Sequence, residues 1–278
     1  MPPKINRELP KGKEPAKTGL RGRIQKVADI RKGLKVALYG FPKTGKTRLA
    51  CTFPGRKLII GTEDGTASVK DDPDTEFIMI DSSEEFTECL KIAVEDEYDN
   101  IILDQAGGFQ MILLKEQLRV KEVPLQLSWG LAKQQDWQAV AGNFKEHVNR
   151  MLSIADKGTV NCIVIAHERN LVGEKEMEQG VSPLMGPGIT PAAASWLNGA
   201  ADYLCRLFIR EAMETKEIVT NGKSSFKSKG TGKIEYVMRI NGQPGYTIGF
   251  RVPIGKELEV DEIVNPTYDK IMEIINGE

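Results

Sequence analysis

The sequence lacks the features that mark membrane, secreted and zinc-binding proteins. No apolar stretch approaches the roughly 20 residues that a bilayer span needs, and the N-terminal "MPPKINRELPKGKEPAKTG" has no apolar core of the kind found in secretory signals. The four cysteines are scattered without C-x-x-C spacing, at Cys51, Cys89, Cys162 and Cys205. We therefore expect a cytoplasmic protein with reduced thiols and no structural zinc.

Net charge is also nearly absent, at −1, but the charges are unevenly distributed. Residues 1–32 contain ten Lys or Arg and three acids, a balance of +7, so the rest of the chain carries −8. A basic arm on an acidic body can bind nucleic acid or a neighbouring subunit, and a solvated tail is the alternative. We predict that residues 1–32 form a basic, flexible N-terminal arm.

Short apolar runs alternate with helical patterns through the first two thirds of the chain. One helix is predicted over residues 82–96, and a longer helical region over 109–156 is interrupted near Pro124. This alternation is typical of an α/β protein whose mostly parallel central sheet is covered by helices on both faces. The predicted strands are 34–39, 57–61, 76–81, 100–104 and 160–167.

The pattern changes after residue 167. Residues 168–194 are rich in Gly, Pro and Glu, which predicts a long connection that is mobile or functional. Three more strands are predicted, the last two joined in a C-terminal β-hairpin around Asn241-Gly242, and residues 221–233 read as a flexible basic excursion. We expect a core over 33–254 and a tail over 255–278 with a helix ending at Gly277. The three strands are 202–209, 234–240 and 246–252.

The segment "GFPKTGKT" fits the phosphate-binding pattern G-x-x-x-x-G-K-[ST] and follows a predicted strand. Glycines let the backbone curl so that successive N–H groups point into one concavity. Lys46 is expected to reach the β- and γ-phosphates of ATP, and the Thr47 hydroxyl to coordinate Mg²⁺. A chance glycine turn is the alternative, but the strand before the loop favours phosphate binding. The predicted cofactor-binding residues are Gly40, Phe41, Pro42, Lys43, Thr44, Gly45, Lys46, Thr47 and Arg48.

Carboxylates follow two other predicted strands. Asp104 ends "NIILD" in the Walker B arrangement, where it would hold Mg²⁺ through water. Many ATPases place a catalytic Glu next, but Gln105 stands there, so either turnover is slow or the base lies elsewhere. Glu63 follows "KLIIG" at the same predicted edge and can activate a water, with Asp64 as its competitor. Two acids that merely decorate a polar turn are the alternative.

His167 ends the fifth predicted strand, at the same edge of the sheet. Its side chain could touch the γ-phosphate and pass its presence to the segment that follows. The chain has only two histidines, which makes the position notable. A hydrogen-bonded structural histidine is the alternative.

Four segments together resemble the RecA-like core of P-loop NTPases: "KVALYGFPKTGKT", "LIIGTEDGT", "YDNIILDQ" and "CIVIAHE". They are most similar to phage-encoded single-strand annealing proteins of the Sak type, over about residues 34–210. The resemblance implies that Glu63 serves hydrolysis and that His167 is the polar residue before the second DNA loop. It also implies single-stranded DNA binding, ring or filament homo-oligomers, a single-stranded-DNA-binding protein as partner, and a location in the host cytoplasm.

The resemblance further suggests residues that act on DNA or on a neighbouring subunit. Arg239 or Arg251 could complete a neighbour's site, although solvated strand arginines are the alternative. The second DNA loop, around 168–190, is a doubtful match because Glu168, Glu174, Glu176 and Glu178 would repel phosphate. The basic arm and residues 221–233 could supply the charge instead. The candidate DNA contacts are Lys115, Lys121 and Lys133 from the first loop and Arg169 from the second.

Two functions therefore compete. The first is a Mg²⁺-dependent, DNA-stimulated ATPase acting in phage recombination, annealing or replication. The second is a nucleotide-gated interaction module, such as a loader or regulator, with slow ATP turnover and no direct DNA role. Gln105 and the acidic second loop favour the second. A small-molecule kinase is disfavoured because no Arg-rich lid segment is found.

Overall fold

The computed structural model describes residues 32–120, 132–220, 223–253, 255 and 257–277. Its centre is a mixed sheet built on the strands β1 (Lys35–Gly40), β2 (Lys57–Gly61), β3 (Thr75–Met79), β4 (Asn100–Asp104), β5 (Asn161–Asn170), β7 (Tyr203–Thr220), β8 (Lys223–Arg239) and β10 (Glu262–Val264). Their order across the sheet is β10-β8-β7-β1-β5-β4-β2-β3. From β7 to β3 the neighbouring strands pair in parallel, as predicted.

Helices cover both faces of this sheet, which confirms the α/β prediction. In β1, Ala37 and Tyr39 point into one apolar cluster, while Val36 and Leu38 point into the other. This alternation explains why the strand is apolar throughout. Helices α2 (Ser83–Glu95), α3 (Ala106–Leu118), α4 (Gln134–Lys157) and α6 (Pro191–Ala200) pack on the first cluster, and α1 (Lys46–Ala50) and α7 (Tyr268–Asn276) on the second.

Local signals at the ends of α2 and α7 explain why their bounds were predictable. The Ser82 hydroxyl accepts a hydrogen bond from the Glu85 backbone N–H and so caps α2. The Thr267 hydroxyl caps α7 in the same way. Gly277 follows α7 in the left-handed conformation, at φ 69°, which glycine adopts without strain. Both helices were predicted from the sequence, and the structure confirms them.

The predicted C-terminal hairpin lies in a different part of the chain. The structure pairs β7 with β8, so the assignment of 234–240 and 246–252 to one hairpin was wrong. Of the last predicted strand, only β9 (Gly249–Phe250) forms, and it pairs with β7. Most of the predicted flexible excursion over 221–233 is β8 itself. The Ser, Lys and Gly residues in this first part of β8 give no apolar alternation. Only the backbone pairing with β7 shows that this part is a strand.

The long connection after residue 167 is more regular than predicted. β5 continues to Asn170, a short helix α5 (Glu174–Glu178) follows, and β6 (Met185–Pro187) returns antiparallel to β5. The predicted break near Pro124 lies outside the described residues, as does the arm over 1–32 except for Lys32. No helix within the described ranges combines the length and the apolar character that a bilayer span requires.

Truncation of a buried side chain in α2 should have a large effect on stability. Phe86 is fully buried, and its ring lies 4.5 Å from that of Phe109, centroid to centroid. Phe86→Ala should lower the free energy of unfolding by about 3–5 kcal/mol, because it removes apolar contacts and leaves a cavity. Urea denaturation measures this. Val94→Ala, at a half-exposed position of the same helix, should change stability by about 0.5 kcal/mol or less. Equal losses in the two variants would contradict the packing described here.

Candidate functional site

The loop after β1 curls tightly between Gly40 and α1. Lys43 and Gly45 both have left-handed backbone conformations, at φ 66° and 86°. A side chain at Gly40 is excluded, because its Cβ would lie 2.1 Å from the carbonyl oxygen of Leu207. The Thr44 hydroxyl donates a hydrogen bond to the carbonyl of Phe41 at 2.8 Å, which closes the turn. The loop therefore has the shape that the sequence motif predicts.

The Lys46 ammonium lies inside this loop. The residue is buried, and Nζ donates hydrogen bonds to the carbonyl oxygens of Gly40 at 3.0 Å and Phe41 at 2.8 Å. Burial lowers the pKa of Lys46 to about 8, even though the carboxylates of Asp104, Glu168 and Glu63 favour the charged form. A cation held here with so little water would be strongly attracted to a phosphate.

Thr47 and Asp104 form a pair suited to a divalent cation. The Thr47 hydroxyl donates to Asp104 Oδ2 at 2.6 Å. Burial raises the pKa of Asp104, while the hydrogen bond from Thr47 and the charge of Lys46 oppose that rise. Hydroxyl and carboxylate oxygens are ligands that Mg²⁺ accepts. Among the described residues, no group of three or more His, Cys, Asp or Glu could hold a metal ion by itself.

Glu63 lines the same cavity as Lys46, Thr47 and Asp104, a space of about 630 Å³. It follows β2, whose last residue Gly61 pairs with Asp104 of β4. Glu63 Oε1 accepts a hydrogen bond from Gln105 Nε2 at 3.1 Å. Its carboxylate is more than half exposed, so water reaches it. The structure thus brings together the four residues that the sequence assigned to phosphate, metal and water.

Asp64 also lines the cavity, but its carboxylate is hydrogen-bonded within its own turn. Asp64 Oδ1 accepts hydrogen bonds from the hydroxyl and the backbone N–H of Thr66. These bonds lower the pKa of Asp64, which makes its carboxylate a weaker base. The geometry therefore favours Glu63 over its neighbour.

His167 stands between the phosphate loop and Asp104. In β5 it is paired with Gly40 of β1, and β5 lies between β1 and β4. Its Nε2 is 3.6 Å from Glu63 Oε1, and its Nδ1 is buried without a hydrogen-bond partner among the described residues. The carbonyl oxygen of His167 accepts a hydrogen bond from Gly188 at 2.6 Å. The side chain thus reaches the cavity while its backbone is anchored to the segment after β6.

Sequence reasoning missed a buried ion pair beneath the site. The Glu168 side chain is only 2% exposed, and Oε2 accepts a hydrogen bond from Arg206 Nε at 2.7 Å. The Arg206 guanidinium lies over the ring of Tyr246, 4.2 Å from its centroid. The prediction that Glu168 repels phosphate at the surface was therefore wrong, because its carboxylate is buried and paired. An arginine inside the apolar run "DYLCRLFI" was the available signal for a buried partner.

The two candidate trans-acting arginines lie outside the cavity. Arg239 is paired within its own chain, at 2.9 Å to Glu262 and 3.3 Å to Asp261. Arg251 forms an ion pair with Asp202 at 2.8 Å and is well exposed. Asp202 donates its backbone N–H to the carbonyl of Lys35, at the opposite end of β1 from the phosphate loop. Arg251 is therefore the more accessible of the two to a neighbouring molecule.

The DNA candidates are also apart from the cavity. Lys115 is half-buried near the end of α3, Lys133 is exposed just before α4, and Arg169 is exposed on β5. Lys121 lies outside the described residues. Any contact of these side chains with DNA stays a prediction.

Comparison with known proteins supports the interpretation of the loop. A family model described as "AAA domain" matches residues 32–239, which is more than half of the 278-residue chain. The match includes every residue placed in the cavity so far. A comparison with curated proteins found no match.

Proposed function

Because the chain belongs to the AAA domain family, a group of P-loop nucleotide-binding ATPases, we propose that it is a Mg²⁺-dependent ATPase that acts on single-stranded DNA. The observation that carries the ATPase part is the shared cavity of Lys46, Thr47, Asp104 and Glu63. The DNA part rests on the resemblance to annealing proteins of the Sak type. That resemblance implies a role in phage recombination, annealing or replication, which we include in the proposal.

We assign phosphate binding, Mg²⁺ binding and water activation to different residues of the cavity. Lys46 would hold the β- and γ-phosphates, and Thr47, with Asp104 through water, would hold Mg²⁺, which neutralises phosphate charge when bound. Glu63 takes a proton from a water molecule as the water oxygen attacks the γ-phosphorus. The bond from this phosphorus to the bridging oxygen breaks, and ADP carries away the electron pair.

We propose that His167 senses whether the γ-phosphate is present. Its strand β5 lies between β1 and β4, it is paired with Gly40, and its Nε2 is 3.6 Å from Glu63 Oε1. We place it as a donor to the γ-phosphate or to the attacking water. Its anchored backbone then links the cavity to residues 185–188.

The proposal includes assembly. In a ring or filament of this chain, Arg251 of one copy would reach the cavity of the next. The Arg251 guanidinium is exposed, so a neighbouring copy can contact it. Single-stranded DNA would contact Lys133 and Arg169, which are both exposed. A single-stranded-DNA-binding protein is the proposed partner.

The test is the ATPase rate with and without single-stranded DNA. We expect DNA to raise the rate, and the DNA concentration needed to rise steeply with salt, because phosphate contacts release counterions. Lys133→Gln with Arg169→Gln should weaken DNA binding and lower the salt slope by roughly one for each lost contact. As a control, Lys91→Gln on α2, where Lys91 pairs with Glu88, removes one exposed charge outside the candidate DNA segments, and its effect is compared with that of each single substitution. A rate indifferent to DNA would exclude the DNA role.

That last outcome would favour a nucleotide-gated interaction module. One observation supports this second candidate: Gln105 replaces the usual acid after Asp104, and its amide holds Glu63 Oε1 at 3.1 Å. Under this second candidate, the oxygen that accepts the Gln105 hydrogen bond is not free to take a proton from water, and turnover is slow, as a timer requires. The module would bind a protein partner only in the presence of ATP, which pull-down with and without ATP measures.

A further inference from the structure

We propose that a second cavity, on the other side of the phosphate loop, binds the purine base of the nucleotide. This cavity has a volume of about 200 Å³. It shares Gly45, Arg48 and Tyr236 with the larger cavity that holds Lys46 and Asp104. The proposal rests on the ATP binding proposed above and adds the residues that select the base.

The order of strands indicates in which direction the nucleotide lies along the phosphate loop. Asp104, Glu63 and His167 follow β4, β2 and β5, which all lie on one side of β1. Tyr236 belongs to β8, which lies on the other side, beyond β7. If the γ-phosphate faces Glu63, the chain of phosphates runs back along the loop after β1. The nucleoside then leaves the loop towards Arg48 and Tyr236.

The walls of the second cavity suit a flat aromatic ring. The Tyr236 ring packs on the loop, so closely that a Cβ at Gly45 would lie 3.1 Å from its edge. It is half-buried and borders both cavities, which suits stacking against a base. Arg48 is exposed and has no hydrogen-bond or ion-pair partner in the described part of the chain, so its guanidinium is available to a base or the α-phosphate.

Asn265 supplies the polar contact. Its side-chain oxygen accepts the backbone N–H of Tyr236 at 3.3 Å, and its own N–H donates to the Tyr236 carbonyl at 2.6 Å. With the oxygen engaged, the amide nitrogen is directed to act as a donor. Purines carry ring-nitrogen acceptors on both edges, which such a donor can meet.

The segment that carries Asn265 is fastened to the phosphate-loop side of the protein. The Tyr268 backbone N–H donates to the Thr52 hydroxyl at 2.9 Å. The rings of Tyr268 and Phe53 lie 4.9 Å apart, centroid to centroid. Asn265 follows residue 239, where the family match ends. The base contact is thus formed in part by a segment outside the matched domain.

The test compares ADP with inorganic pyrophosphate, which lacks a base, by calorimetric titration in Mg²⁺. Tyr236→Ala should weaken ADP binding by roughly tenfold or more, since stacking on an aromatic ring is lost. Pyrophosphate binding should stay unchanged. Tyr236→Phe keeps the ring and should bind both ligands as the wild type does. Asn265→Gly, which tolerates the left-handed backbone at φ 47°, should also weaken ADP selectively.

Each other outcome overturns the inference. An equal loss of ADP and pyrophosphate in Tyr236→Ala would make Tyr236 a support of the loop only. Unchanged ADP binding in both Tyr236→Ala and Asn265→Gly would place the base elsewhere, such as along residues 64–68. A wild-type protein that binds pyrophosphate but not ADP would reject the base site and leave the phosphate loop intact. A wild type that binds neither would reject the proposed function itself.

Discussion

Replacement of Glu63 by glutamine is expected to lower the rate of ATP hydrolysis by about 10²- to 10⁴-fold while ATP binding persists. The amide has nearly the same shape as the carboxylate but cannot accept a proton from water. The change also keeps a polar group beside Gln105 and His167, so the cavity should hold its form. Phosphate release under single-turnover conditions measures the rate, and calorimetric titration with ATP measures binding.

Asp64→Asn is the matched control for this experiment. Asp64 is the adjacent carboxylate, but its oxygen is engaged by Thr66 and its pKa is lowered by those hydrogen bonds. We expect its loss to change the hydrolysis rate by only a few-fold. If the asparagine variant were inactive and the Glu63 variant active, the two acids would have to exchange roles. If both variants kept the full rate, water activation would lie outside this turn.

Removal of the Lys46 charge should have the other large effect, on nucleotide binding. Lys46→Ala, or Lys46→Met to keep the length of the side chain, should weaken ATP binding by about 2–5 kcal/mol, or roughly 30- to 4,000-fold. The reason is that a buried, water-poor ammonium is lost from the phosphate loop. Burial disfavours the charge in the free protein, which offsets the loss of the hydrogen bonds to Gly40 and Phe41. Lys46→Met should therefore change the unfolding temperature by only a few degrees. A large drop in unfolding temperature would contradict this.

The lowered pKa of Lys46 gives a second readout for this variant. Below pH 8 the Lys46 ammonium is charged in the free protein, so phosphate binds without uptake of a proton. Above pH 8 the neutral amine dominates, so binding must take up a proton and apparent ATP affinity falls by up to about tenfold per pH unit. Lys46→Met should remove this slope between pH 8 and pH 9.5. A slope that persists in the variant would belong to another group.

The part of the fold that sequence alone predicts is the part built from local signals. β2 and β4 are short apolar runs buried on both faces, and their predicted bounds match the structure. The phosphate loop is equally local, because its glycines, lysine and threonine are neighbours in the chain. Asp104 and Glu63 were found because parallel strands bring their carboxyl ends to one edge.

The features that escaped prediction depend on contacts between distant residues. The first part of β8, residues 223–233, is polar and glycine-containing, and only its backbone pairing with β7 makes it a strand. Glu168 and Arg206 look like surface charges in the sequence, yet they form a buried pair 38 residues apart. Tyr236 and Asn265 belong to no motif, and they meet only because β8 and the turn before α7 are adjacent. Periodicity carries no information about such pairs.

The continuity of β5 has a mechanical consequence. The strand passes His167 and, without interruption, pairs Glu168 with Pro187 and Asn170 with Met185 in β6. The Gly188 N–H is bound directly to the His167 carbonyl. Because β5 runs unbroken from the cavity to its pairing with β6, we expect a shift of His167 to move β6 as well. A probe attached near β6 would therefore register the occupancy of the cavity as a displacement rather than as a change in flexibility.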